Sequence, residues 1–433
     1  MIRFTLLIIN IFCLTSLSIA QSVQSSYLIK AGKLYDAEKN VFTTNQEIYV
    51  QGDKIKKIGQ NLEVPENTVI IDASNSTVTP GLIDAHTHIL SEEKLTRDND
   101  WSYLALDAIM FSDETRVLRG AHFAKTYLQA GFTSIRDVGN SGYYLDVELR
   151  DAIRKGYVDG PRMFVSGPII GSVDGQFGGL PPKDFKRITE QEYTTVNGVD
   201  DARLAVNEHI VQSVDVIKIL AFGNRLPLSL EEMKAIVETV HSNRLQVTAH
   251  ADRDWVVHNA IEAGVDGIEH GYGFKDATLK KMADKGIYLV PTFNSVDIAV
   301  HYYKMMNQPY DLEELKKNFQ PNQKVLISAH ELGVMIVAGS DAYFDLGIPR
   351  GDAAKFTLVG YYEAGLKVND VLKTATYNAS IALNRKDQLG VIKENALADI
   401  AVFDGDLEAN FKEVLFKVKL VMKDGKIEYN NMD

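Results

Sequence analysis

The run Asp84-Ala85-His86-Thr87-His88 is the first place in the sequence where residue types and spacing can do chemistry. In a strand, residues i and i+2 face the same side, so His86 and His88 converge on one point. Four more groups of ligand or proton-transfer type sit within or at the end of apolar runs: Lys218, His250, His270 and Asp341. Neutral imidazoles and a carboxylate bind divalent zinc well and leave coordination positions for water. Each residue also has a plainer reading. The His pair can lie on the surface, a lone histidine in the core, Lys218 on a solvent-facing edge and Asp341 at a helix N-cap. Yet four of the ten histidines fall at the C-terminal ends of predicted strands. The other six (His122, His209, His241, His258, His301, His330) fall on predicted helices or connections and read as structural.

Two cations held side by side need a bridging anion, and the run Val216–Leu220 carries no carboxylate, only Lys218. A buried lysine loses its proton readily, and the neutral amine can capture carbon dioxide as a carbamate. That accounts for a lysine where burial would otherwise cost several kcal/mol. A water shared by two such ions would have a pKa near 7 instead of about 15.7.

The elements that must position these residues alternate in the βα manner. Predicted buried strands are Thr79–Ala85, Phe132–Val138, Arg162–Gly167, Asp215–Leu220, Gln246–His250, Gly267–His270, Ile287–Phe293 and Val334–Asp341. Helical patterns such as Leu230–Val240, Asp276–Lys285 and Leu312–Leu332 lie between them. Eight parallel strands over this length predict an α/β fold with a (β/α)8 TIM-type barrel at 81–383. A doubly wound open sheet would want a Gly-rich phosphate turn after its first strand, and none is present. Short strands recur at both ends: Ser26–Lys30, Ile48–Gln51, Lys54–Ile58 and Val69–Asp72, then Asp399–Asp404, Phe416–Met422 and Lys426–Tyr429. Turns at Gly52-Asp53 and Asp424-Gly425 punctuate them. A small β-sandwich built from 21–80 and 384–433 is the expectation.

Composition sets the outer limits. The 433 residues are 45% hydrophobic and 24% charged, a globular profile. The net charge of −12 argues against nucleic acid and anionic membranes, both of which reward basic surface. A small molecule is the expected partner, and a homo-oligomer stays open. Residues 1–20 read as a signal peptide, with Arg3 before an apolar run and Ser18-Ile19-Ala20 before a cleavage at Gln21. The run falls short of the roughly 20 residues of a membrane anchor. A secreted or periplasmic location follows as an expectation. Cys13, the single cysteine, lies in that segment, so the mature chain has no thiol chemistry and no cysteine ligand for zinc.

The stretch Thr79-Pro80-Gly81-Leu82-Ile83-Asp84-Ala85-His86-Thr87-His88 closely resembles the opening signature of the amidohydrolase superfamily. The likeness continues through Gly131–Asp137, Asp215–Ile219, Val247–Ala251, Gly267–Gly271 and Gly339–Asp341, and ends in Gly390–Ile392 and Leu397–Ile400. It looks most like the binuclear branch containing prolidase-like and imidazolonepropionase-like proteins. The resemblance implies one metal held by His86, His88 and Asp341, a second by His250 and His270, and a carboxylated Lys218 between them. Asp341 would also take the nucleophile's proton and deliver it to the leaving nitrogen. The implied activity is hydrolysis of an amide bond in a dipeptide or N-acyl amino acid. A cyclic amide, lactone or phosphoester on the same centre, or a non-catalytic binding barrel, are the alternatives. One departure stands out: Asp174-Gly175-Gln176 replaces a Gly-Gly-His stretch common in the dipeptidase branch, which makes Gln176 a candidate substrate contact. The connection Ala221–Ser229 also looks short. Arg225, Arg253 and Arg350 follow strands four, five and eight and are candidates for reading a substrate carboxylate.

Overall fold

A computed structural model describes residues 25–94, 102–177 and 182–432. The expected signal peptide and Cys13 lie outside these residues. Among the described residues, no helix is long and apolar enough to cross a membrane.

The terminal segments meet in a single seven-stranded sheet. Its central strand, Val69–Pro80, pairs in parallel with Ser26–Asp36 on one side and antiparallel with Ile400–Phe403 on the other. Val41–Gln51 and Lys54–Gly59 extend one edge, and Val418–Lys423 and Lys426–Asn430 the other. Asp424 and Gly425 both take positive φ (50° and 71°), as a two-residue hairpin turn demands. The sheet has its own apolar core, with Ile29, Ile48, Val78, Ile400 and Leu420 buried together. The strands are one to eight residues longer than expected near the N-terminus, because polar residues such as Thr43 and the exposed Thr44 continue the backbone ladder beyond the apolar stretches.

The middle of the chain is a succession of parallel strands with helices between. Leu82–Thr87 pairs with Phe132–Asp137, and that strand with Arg162–Val165. The amides of Asp215 and Val216 donate to the Val165 carbonyl, leading into Ile217–Leu220. From there Val247–Ala251, Gly267–His270 and Tyr288–Val290 follow in order. Leu289 exchanges backbone bonds with Met335 and Val337, while Ala85 donates to the Ala338 carbonyl. The eighth predicted strand is thus an extended but irregular segment, with one isolated bridge between Leu289 and Ile336. The third stops at Val165, because Gly167 turns the chain at φ 67° and Pro168 follows. The chain then resumes as Ile169–Gly171, which pairs with Ile217–Leu220 and with Tyr193–Thr195. The sequence reading did not anticipate these two short strands. Helices lie close to expectation: Leu230–Ser242 starts at a Ser229–Glu232 capping box, and Asp276–Lys285 ends where Gly286 takes positive φ.

Candidate metal centre

Lys218, His250 and His270 arrive on adjacent parallel strands, and His86 and His88 come from the end of Leu82–Thr87. Asp341 is brought to them by a backbone bond from its amide to the His86 carbonyl, 2.9 Å long. Gly339 makes that approach possible, since a Cβ there would lie 2.6 Å from the His86 Cβ. Asp341 and His270 both hold left-handed backbone (φ 52° and 73°), a strained conformation that persists only when surrounding structure enforces it.

The hydrogen bonds say what the centre is for. His86 Nδ1 meets Glu269 Oε2 at 2.7 Å, and His88 Nδ1 meets the Gly139 carbonyl at 2.6 Å. Both acceptors hold a ring proton on Nδ1, so in the neutral ring, the form that binds metal, each Nε2 offers a bare lone pair. Those two nitrogens face each other at 3.3 Å, and Asp341 Oδ1 lies 3.6 and 3.3 Å from them. Among the described residues, Asp341 Oδ1 is buried without a hydrogen-bond partner. With both rings neutral, three electron-pair donors converge here, an arrangement that fits a cation. A second convergence lies alongside, where His270 Nε2 and His250 Nδ1 stand 2.8 Å apart. His270 Nδ1 is anchored on Thr292 Oγ1 at 2.7 Å.

Burial dominates the electrostatics. It pushes His86 and His270 well below the usual imidazole range and His250 down to about 3, with Lys218 adding to each. These rings are neutral, the form that binds metal. Burial also pulls Lys218 down to about 8 against the opposing charges of Glu269 and Asp341. Asp341 is pulled upward by burial, but its surroundings of His86, His88 and Lys218 hold it below the ordinary carboxylate range, and against the lowering by burial Asp341 holds His88 above the usual imidazole range.

Beneath the centre runs a network the sequence reading missed. Glu269, fully buried, takes His86 on one oxygen and Arg136 Nη2 (2.7 Å) together with Thr248 Oγ1 on the other. Arg136, equally buried, donates Nε to the Ala85 carbonyl and Nη1 to Tyr288 Oη. The available signal was a charged residue in the middle of each of two buried strands.

The centre floors a cavity of about 440 Å³. Gln176 and Arg253 line it, along with Phe177, Phe222 and Tyr343. Arg225 and Arg350 do not reach it. Arg225 is exposed, and its amide is tied to Asp174. Arg350 is buried in the scaffold, donating to the Ser91 and Ala342 carbonyls and resting on the Phe123 ring 4.1 Å away. The carboxylate-reading role expected of these two arginines therefore has no structural support. A larger depression, about 530 Å³, lies against the terminal sheet near Arg150 and Arg162, but those arginines are already paired with Asp215, Asp399 and Asp424.

Residues 77–427 match the model of the Amidohydrolase family. Ochratoxinase of Aspergillus niger is 25% identical over 389 residues, covering 83% of this chain and 77% of the relative. Imidazolonepropionase of Fusobacterium nucleatum subsp. nucleatum is 24% identical over 423 residues, with 91% and 93% covered. Among solved structures, a Xaa-Pro dipeptidase with bound methionine in the active site superposes with a TM-score of 0.79 at 27% identity, covering 94% of this chain and all of that one. Its family binds divalent metals, and the donors found here suit them. The chain belongs to the amidohydrolase family, enzymes that hydrolyse carbon–nitrogen bonds.

Proposed function

We propose that the protein is an exported, binuclear amidohydrolase that cleaves the amide bond of a dipeptide or an N-acyl amino acid. The observation that carries this reading is the pair of ring-nitrogen convergences beside a partnerless Asp341 oxygen on one cavity floor. We read the parallel strands as a closed (β/α)8 barrel, with the terminal sheet folded against it as a sandwich. Zinc at both positions would polarise the scissile carbonyl and lower the pKa of water. His86, His88 and Asp341 would hold one ion and His250 and His270 the other. The neutral Lys218 Nζ forms an N–C bond to carbon dioxide and releases a proton, leaving a carboxylate between the two sets. Asp341 would accept the proton of the attacking water on its other carboxylate oxygen and pass it to the leaving nitrogen.

Arg253 supplies the specificity. Its guanidinium lies 4.0 Å above the Phe222 ring, with Trp255 edge-on to the same ring, and among the described residues no carboxylate pairs with it. A substrate carboxylate completes that arrangement, while the acyl group meets the apolar wall of Ile169, Phe177 and Leu220. Turnover is expected for dipeptides and N-acyl amino acids and not for their C-terminal amides, in a panel that also holds cyclic amides, lactones and phosphoesters. Arg253→Ala should raise KM about 10- to 100-fold with kcat nearly unchanged, the worth of one charge-assisted hydrogen bond. Equal rates on acids and amides would reject the carboxylate reading; faster lactone or phosphoester turnover would reject the substrate class.

Export has its own check. The native protein should begin at or near Gln21 and be found outside the cytoplasm. An N-terminus at Met1 on cytosolic protein would overturn this.

A further inference from the structure

Each of three histidines in the centre sends one nitrogen inward and anchors the other on a protein oxygen: His86 on Glu269, His88 on Gly139 and His270 on Thr292. The fourth, His250, has its outer nitrogen Nε2 3.4 Å from the Gln176 side-chain amide. We infer that Gln176 is the positioning residue for His250, an amide that reorients when the His250–His270 pair takes up a metal ion, and is not a substrate contact. This deepens the binuclear reading above and rests on it.

Without metal, the 2.8 Å separation of His250 Nδ1 and His270 Nε2 requires one hydrogen between them. With Thr292 Oγ1 donating its own hydrogen to Tyr272 Oη 3.0 Å away and accepting from His270 Nδ1, that hydrogen belongs to His250 Nδ1. His250 Nε2 is then an acceptor and needs a donor, the Gln176 NH2. Tyr193 Oη holds the other end of the amide, donating to Oε1 at 3.1 Å. When a cation takes both inward lone pairs, the His250 proton must move to Nε2 through solvent, with none gained or lost. Nε2 becomes a donor and needs an oxygen. Turning the amide over presents Oε1 to His250 and the NH2 to Tyr193 Oη, which can then donate to Asn140 Oδ1, 3.5 Å away. A carboxamide serves both states; a carboxylate in its place serves one.

The segment bearing Gln176 is pinned for this task. Asp174 accepts from Ser172 Oγ at 2.7 Å and from the amides of Arg225 and Leu226 at 2.5 and 2.9 Å, and the Asn224 amide donates to the Gly175 carbonyl at 2.6 Å. The connections after strands three and four are thereby tied together.

The test is metal retention against a competing chelator, with bound zinc counted at each chelator concentration for the whole protein. Gln176→Leu, which neither donates nor accepts, should release one of two ions at about 10- to 100-fold lower chelator concentration. Gln176→Glu, an obligate acceptor suited to the loaded state, should hold that ion at least as tightly as the wild type. Thermal unfolding of the metal-free proteins should be alike, separating positioning from loss of fold. Unchanged retention in the leucine variant with a raised KM would overturn the inference and return Gln176 to the substrate. A wild type that binds a single ion would instead overturn the binuclear reading itself.

Discussion

Lys218→Ala is expected to lose metal and to drop turnover on the order of a thousand-fold, about 4 kcal/mol of barrier. Lys218 is 2% exposed, lies between Ile217 and Ile219 on a central strand and shares its surroundings with Arg136. Burial lowers its pKa to about 8, so the neutral, nucleophilic amine is well populated near that pH. The missing group in the alanine variant is a carboxylate, so acetate or propionate at high concentration should restore part of the rate. Lys218→Glu should keep metal, having a shorter arm but the right charge. Lys218→Arg keeps a cation, cannot form the carbamate and should be as inactive as alanine. An arginine variant with two bound ions and the normal rate would end the bridging role.

Glu269→Ala should be the most damaging change away from the cavity. It strips the counter-charge from Arg136, which is wholly buried, and removes the acceptor that fixes the His86 tautomer. Breaking a buried ion pair from one side costs about 3–5 kcal/mol, because the remaining charge has no water to turn to. A large drop in apparent Tm at fixed scan rate should result. Replacing both partners, Glu269→Leu with Arg136→Met, should recover much of that stability, since apolar pairs of similar volume often substitute for buried ion pairs. Metal affinity should stay low in the double variant, because His86 still lacks its anchor. If metal binding recovered together with stability, the network would be scaffold alone.

Lys218 and Glu269 differ in how plainly the sequence marks them. Lys218 was legible because an isolated lysine in an apolar run announces itself, and the His86/His88 pair because strand geometry makes i and i+2 neighbours. Glu269 and Arg136 carried a comparable signal, but their partners come from other strands, and no local spacing points to them. The anchors of His88 and His270 are a backbone carbonyl and a threonine hydroxyl, which leave no mark in composition. Arg350 shows the opposite error. It follows the eighth strand in sequence, yet it sits in the first turn of the helix Arg350–Glu363 and bonds back to Ser91 and Ala342. Proximity along the chain fixed its place but not its direction. The break at Gly167-Pro168 was visible in the letters; that the chain would realign as a further short strand depended on Ile219 and Leu220 being free to pair.

The central strand of the terminal sheet has a consequence for how the molecule comes into being. Val69–Pro80 finds one neighbour at once in Ser26–Asp36, but its other neighbour, Ile400–Phe403, is made more than 300 residues later. Thr77 Oγ1 bonds to the Gly405 carbonyl across 328 residues. During synthesis this strand therefore waits with one edge open while the whole middle of the chain is delivered. Gly81 is all that separates it from Leu82–Thr87, so the segment carrying His86 is tethered to an unfinished sheet. Maturation of the centre is thus a late event with a long-range closure step, the kind that folds slowly. A chain cut short before residue 400 would present an unpaired strand edge, ready to add the strand of another molecule, and should aggregate before it could acquire metal.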